Sequence, residues 1–201
     1  MAFASLFIQA STGGFTFSIF LPAMTSDLGW PRSSLVASSS VAAITASVAG
    51  PWLGRIVDRR GPRLVMVLSV VGMAFALCVA GIVNEPWQFY LFIGLTSGVS
   101  RSALQSVLPG SLIANWFVRK RSAAFGMAAM GPPIANLILP PIVTALVTAG
   151  SWRLGWAGLG LICLAIGLVP ALFIAKRIED TGLKPDGDDD SADRVGGIVV
   201  A

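Results

Sequence analysis

Residues 54–63 read G-R-I-V-D-R-R-G-P-R, a charged turn between two stretches, 33–54 and 64–84, that carry no Asp, Glu, Lys or Arg. Each stretch has roughly the 20 apolar residues that a helix needs to cross a hydrocarbon core about 30 Å thick. The turn is too short for anything except a tight reversal at a membrane surface. The chain is therefore expected to be an all-α membrane protein.

Composition agrees: the chain is 55% hydrophobic and 12% charged, whereas a soluble domain is about a quarter charged. Many of its 22 glycines and 12 prolines fall inside apolar stretches, where membrane helices tolerate them because neighbouring helices re-satisfy the freed backbone groups. The net charge of +4 resides in short loops, which points to a lipid bilayer and away from nucleic acid. The absence of histidine excludes histidine catalysis and histidine metal ligation. Cys78 and Cys163 lie in apolar stretches and read as small buried residues rather than a disulfide. No nucleophile–base pair, metal cluster or cofactor motif is visible, so neither an enzyme activity nor a cofactor is expected. The N-terminus lacks the basic region of a cleavable signal, and its apolar stretch runs to Asp27. It reads as a first membrane span with almost no cytoplasmic tail ahead of it.

Six spans fit the uncharged runs: about 3–25, 34–55, 64–84, 87–114, 122–148 and 154–176. The fourth is interrupted only by Arg101. Lys and Arg concentrate on cytoplasmic sides. Arg55, Arg59, Arg60, Arg63, Arg119, Lys120, Arg121, Lys176 and Arg177 fall on one side, against Arg32 and Arg153 on the other. This asymmetry predicts a multi-pass cell-membrane protein with both termini in the cytoplasm. Trp30, Trp87, Trp116 and Trp152 fall near span ends, as an interfacial aromatic belt requires. The domain reading is a six-helix bundle over 1–178 and a disordered cytoplasmic segment over 179–201, where Asp188, Asp189 and Asp190 read as a solvated charge run.

The hairpin resembles the loop 2–3 signature of the major facilitator superfamily, G-x-L-x-D-R-x-G-R-[RK]. Gly54, Asp58, Arg59, Gly61 and Arg63 match, Ile56 replaces Leu, and Pro62 departs from the basic residue at its place. Gly54 is read as permitting close helix approach and Gly61 as supplying a turn conformation that other residues resist. Asp58 is read as capping or salt-bridging the adjacent helix end. The resemblance implies that this hairpin, Asp58 above all, works as a conformational switch against a second bundle rather than as a substrate ligand. Asn115-Trp116-Phe117-Val118-Arg119-Lys120-Arg121 followed by Ala123, Ala124 and Gly126 resembles monocarboxylate-porter-like and oxalate/formate-antiporter-like members. So do Leu28-Gly29-Trp30-Pro31-Arg32-Ser33 and Glu179-Asp180-Thr181-Gly182-Leu183-Lys184-Pro185-Asp186-Gly187, the opening of a central loop. The resemblance covers essentially the whole chain and corresponds to the N-terminal half of a twelve-span transporter. It implies alternating access, a small organic anion as substrate, and a second six-helix bundle or a second copy of this chain as partner. Gly131-Pro132 partly resembles the Gly-Pro motif of drug/proton antiporters, with Ala135-Asn136 where that motif has a second Gly pair. A kinked, closely packed span is the other reading. Gly94-x-x-x-Gly98 and Gly155-x-x-Gly158-x-Gly160 read as small-residue packing faces.

Arg101 is the single ionisable residue deep in an expected span. An arginine at mid-bilayer costs roughly 2.5–3.5 kcal/mol on insertion scales, so it is expected to face a wet cavity or a partner. Ser97 and Gln105 lie four residues to either side, on one helical face. Such a polar stripe suits a carboxylate, which arginine grips through a bidentate fork. Pairing with backbone or with another polar span residue, for packing alone, is the alternative for Arg101. Gln9 in span 1 and Asn136 in span 5 are further substrate-binding candidates. No Asp or Glu lies within an expected span, so an intramembrane proton-carrying carboxylate belongs elsewhere or coupling takes another route. Transport of organic anions, proton-coupled drug efflux, and a non-transporting membrane domain that needs a partner half are the three functional readings.

Overall fold

The computed structural model describes residues 2–117 and 120–173, and every regular element among these residues is helical. Val118, Arg119 and residues 174–201 lie outside the described residues, and with them the readings of Lys176, Arg177 and the tail. Span 1 is a pair of helices, α1 (Ala2–Ala10) and α2 (Gly14–Leu28), rather than the continuous helix expected. The cause is local. The Ser11 hydroxyl donates to the Ile8 carbonyl at 2.6 Å, the Thr12 hydroxyl to the Gln9 carbonyl at 3.2 Å, and the Gly13 N–H to the Ala10 carbonyl at 2.8 Å. These bonds offer the backbone an alternative to helix, and Gly13 takes extended angles, φ −67° and ψ 163°.

Helix α3 (Arg32–Arg60) forms span 2 and meets α4 (Pro62–Ala80), span 3, across the single residue Gly61. Gly61 has φ +82°, a backbone region that L side chains resist, and Pro62 opens α4 with its ring-fixed φ. Span 4 is an unbroken helical path over 86–116. It consists of α5 (Pro86–Phe89), a π-helical segment (Tyr90–Thr96), α6 (Ser97–Ser102), a second π-helical segment (Ala103–Val107) and α7 (Leu108–Trp116). Span 5 is α8 (Arg121–Ala129) continued by α9 (Gly131–Ala149), and span 6 is α10 (Trp152–Phe173). Five of the six are long and apolar enough to cross a membrane, span 1 with its break included. The fourth differs in being divided by its π-helical segments.

Apolar surface gives no drive for helix association within lipid, so close contact depends on small residues. A Cβ on Gly98 would stand 2.8 Å from the Ala42 carbonyl oxygen, and one on Gly94 2.8 Å from Val41, so both glycines press span 4 onto α3. Gly160 meets Ala74 and Cys78 of α4, while Gly155 meets Phe20 and Val147 and Gly158 meets Leu146. The expected packing faces are thus present, and α10 uses different glycines for different neighbours. Phe17, Phe20, Phe89 and Trp156 gather inside, with Phe20 and Trp156 stacked at 4.0 Å between centroids. Within the most apolar windows, 56% of span 1 and 50% of span 3 are buried, against 17% of span 2 and 22% of span 5. Spans 2 and 5 are therefore the sides on which this bundle is open.

Across the end opposite the 2–3 hairpin, the Trp152 indole N–H donates to Asp27 Oδ2 at 2.8 Å. Arg153 donates to the Gly81 carbonyl at 3.2 Å and to Asn84 Oδ1 at 3.1 Å. Trp152 is only 4% exposed, which corrects its assignment to a lipid-facing belt: its ring is packed in the bundle and its N–H is satisfied by the exposed Asp27 at the bundle's end. Trp87 is exposed, and the side chain of Trp116 lies outside the described residues. Gly98→Val should destabilise the bundle by about 1–3 kcal/mol through overpacking. Gly110→Val, where a Cβ meets nothing within 4 Å, should leave the unfolding temperature in lipid nanodiscs nearly unchanged.

Candidate functional site

Arg101 sits on α6, between the two π-helical segments of span 4. Its side chain is half-buried and makes no hydrogen bond or ion pair among the described residues. The serines around it are occupied. Ser97 is buried and donates to the Ile93 carbonyl, Ser100 donates to Thr96 at 3.1 Å, and Ser106 to Ser102 at 3.0 Å. Span 4 is wedged there between two neighbours: a Cβ on Gly72 of α4 would lie 2.8 Å from Ser100 Oγ, and one on Gly50 of α3 3.3 Å from Ser102 Oγ.

The expected stripe of Ser97, Arg101 and Gln105 is not formed. Ser97 is buried with its hydroxyl turned to its own helix, while Gln105 is exposed. Gln105 lies in the second π-helical segment, whose i→i+5 bonding adds a residue to the turn. Ser97, Arg101 and Gln105 pass in turn from buried through half-buried to exposed, so the row runs out of the bundle instead of lining one wall.

Gln9 is 7% exposed and its amide has no hydrogen bond among the described residues. Asn136 of α9 is half-buried, and its Oδ1 is wholly buried without a partner. That oxygen lies 3.7 Å from the point a Cβ on Gly13 would occupy. Asn136 is therefore brought to the break in span 1, which the sequence reading had not foreseen. No hydrogen bond among the described residues joins Arg101 to Gln9 or Asn136. Two further orphaned groups were missed by the sequence reading: Thr16 Oγ1, in a residue 0% exposed, and Trp156 Nε1, in a residue 1% exposed. The usable signal for this region was Ser11-Thr12-Gly13-Gly14, four poor helix formers inside an apolar run.

At the 2–3 hairpin, Gly61 adopts the turn conformation expected of it, but two other readings need correction. Asp58 does not cap α4, because it is still in the last turn of α3 and the residue before α4 is Gly61, with no side-chain capping bond. Among the described residues Asp58 forms no ion pair; it lies exposed with Arg55, Arg59 and Arg60. A Cβ on Gly54 would meet nothing within 4 Å, so the close approach read for Gly54 is not made among the described residues. Arg55 lies over the Trp52 ring, 5.5 Å from its centroid. Gly131 does make a close approach, since its Cβ would stand 2.8 Å from the Phe3 carbonyl oxygen. In Gly131-Pro132 the glycine thus serves the packing of α9 on α1. Both cysteines are free thiols, Cys163 buried and Cys78 half-buried.

Comparison with known proteins places the chain. The sequence pattern of the Major Facilitator Superfamily matches residues 1–196. "Riboflavin transporter RibJ" of Trypanosoma brucei brucei is 29% identical over 204 aligned positions, covering 96% of this chain and 35% of the relative. "Multidrug resistance protein MdtG" of Dickeya zeae is 29% identical, covering 70% of this chain and 34% of the relative. "Fujikurins efflux protein" of Gibberella fujikuroi is 27% identical, covering 64% of this chain and 27% of the relative. The chain thus spans about a third of the length of the curated relatives it matches.

The Ser97 hydroxyl is committed to a carbonyl of its own helix, and such bonds add little to helix stability. Ser97→Ala should therefore change unfolding stability by less than about 1 kcal/mol, and ligand binding measured by calorimetry should be unchanged. A large loss of binding would restore Ser97 to the site.

Proposed function

The chain belongs to the major facilitator superfamily, and from that membership we propose that it forms the N-terminal six-span bundle of a secondary transporter for small organic anions. It is an all-α, multi-pass membrane protein. In this reading the substrate binds near the midplane between this bundle and a second one, and the two rock against each other to expose it to either side. The observation that carries the anion is Arg101. A half-buried guanidinium without a protein partner among the described residues is costly in a membrane, and a carboxylate substrate neutralises it through two parallel hydrogen bonds. The open sides of spans 2 and 5 leave room for the second bundle, or for a second copy of this chain. Asp58 and the arginines of the hairpin, exposed and unpaired with one another, suit a contact made with that bundle in one conformation and broken in the other.

Export of larger compounds is the second reading, favoured by the names of two relatives, a multidrug resistance protein and an efflux protein. Arg101 separates the two. In proteoliposomes holding both bundles, Arg101→Gln should lower uptake of lactate, oxalate or formate at least about tenfold, the loss of one charge-assisted contact. Arg101→Lys keeps the charge and loses the fork, so it should recover only part of that uptake. Unchanged anion uptake in both variants would favour the export reading.

The proposed orientation puts the 2–3 and 4–5 turns in the cytoplasm. In a background without native cysteines, Arg60→Cys and Lys120→Cys should react with an impermeant thiol reagent only from the cytoplasmic side. Glu85→Cys should react only from the other side, and the reverse pattern would invert the topology.

A further inference from the structure

Among the described residues three buried side-chain polar atoms have no hydrogen-bond partner: Thr16 Oγ1, Asn136 Oδ1 and Trp156 Nε1. They are not scattered. Gly13, Thr16 and Phe20 follow one another at spacings of three and four residues, hence along one face of span 1. Asn136 Oδ1 lies beside Gly13, Thr16 comes one turn later, and Trp156 stacks on Phe20 one turn beyond that. Native interiors leave few such groups unpaired, and each calls for a ligand or a cost.

The point a Cβ on Gly13 would occupy has two oxygens around it: the Ala10 carbonyl at 2.8 Å and Asn136 Oδ1 at 3.7 Å. Glycine keeps that point open. Ala10 is the last residue of α1, so its carbonyl belongs to the negative end of a half-helix. It accepts one bond, from Gly13 N–H, and retains a second lone pair. A further oxygen is freed by sequence: Pro140, four residues after Asn136, has no N–H to give to the Asn136 carbonyl. The oxygens shown beside the break are thus the Ala10 carbonyl of span 1 and Asn136 Oδ1 of span 5.

Uncharged oxygens left without partners suit a monovalent hard cation. A divalent ion would call for carboxylates, and the acidic residues Asp27, Asp58 and Glu85 all lie at or near helix ends. We propose that the break between α1 and α2 is a sodium-binding site, with Thr16 Oγ1, Asn136 Oδ1 and the Ala10 carbonyl as ligands. Sodium there links span 1 to span 5 and supplies a coupling ion without an intramembrane carboxylate. Trp156, a donor only, is not a ligand; it lies one turn beyond the ion. The site does not involve Arg101 and stands whether the substrate is an anion or not.

The test is thermal unfolding of the protein in lipid nanodiscs, titrated with NaCl against KCl and choline chloride at constant ionic strength. Sodium alone should raise the unfolding temperature, saturably. Thr16→Val, which keeps the shape and removes the hydroxyl, should weaken the apparent sodium affinity by about tenfold. Asn136→Leu should abolish the effect. Asn136→Asp keeps an oxygen and adds charge, so it should tighten sodium binding above the pH at which the carboxyl ionises. Arg101→Gln should leave the sodium response intact even where anion uptake is lost, which separates failure of this site from failure of the anion reading. Equal responses to the three salts in the parent protein would overturn the proposal, as would a sodium response preserved in both Thr16→Val and Asn136→Leu. A parent protein indifferent to salt, with Thr16→Val more stable than it, would also overturn the site and identify the space as a water pocket.

Discussion

Hydrocarbon offers no hydrogen bonds, so each peptide group within it must be satisfied by the protein. That requirement explains the uninterrupted helical path of span 4 despite its change of winding. It also explains why the break at Ser11–Gly13 is closed by hydroxyl and backbone donors onto the Ile8, Gln9 and Ala10 carbonyls. What remains unsatisfied is therefore informative. Among the described residues the orphaned atoms are three, and Asn136 Oδ1 lies beside the interruption in span 1, where the backbone itself departs from helix.

Packing follows a second rule imposed by the same solvent. Apolar surface gains little by leaving lipid, so helices associate through close backbone approach and dispersion. Gly94 and Gly98 fit span 4 to α3, Gly160 fits α10 to α4, and Gly131 fits α9 to α1. Arg101 lies on the same short helix that Gly98 presses against Ala42. The charge is thereby held on a rigid element. In the proposed reading a substrate meets a guanidinium carried on a backbone that is already fixed, which limits part of the ordering cost of binding.

The features legible in the sequence were those set by long-range composition or by a backbone requirement. Charge-free runs gave the spans, and Gly61 gave the hairpin, because one residue between two helices demands a positive φ that glycine supplies. The Gly94/Gly98 face was legible for the same kind of reason. What escaped was depth: Ser97, Arg101 and Gln105 share a four-residue repeat, yet they pass from buried to half-buried to exposed, and spacing alone does not fix how a helix face is covered. Span 1 was read as continuous because its apolar run outweighs the local preference of Ser11-Thr12-Gly13-Gly14. Asp58 was assigned to a cap because the turn was placed too early; α3 persists through Arg60. Trp152 was assigned to an interface by position alone, whereas its environment is decided by a partner 125 residues away, Asp27.

Asp58 illustrates how the unsatisfied charges of this bundle divide by solvent. It sits in the last turn of α3, where the helix dipole disfavours an anion, yet Arg59 and Arg60 follow immediately. Exposed and near water, it costs little to leave without a partner, so the hairpin can exchange partners as the protein changes shape. Arg101 is in the opposite situation: removed from bulk water, it has a strong demand for a counter-charge. Demand inside and indifference outside are what the proposed reading requires of a substrate contact within the membrane and of an exchangeable contact at its surface. The break in span 1 is brought through Gly13 to Asn136 of span 5. Span 5 is among the most open of the bundle, so in the proposed sodium reading the helix that supplies an ion ligand is also one that a second bundle would meet.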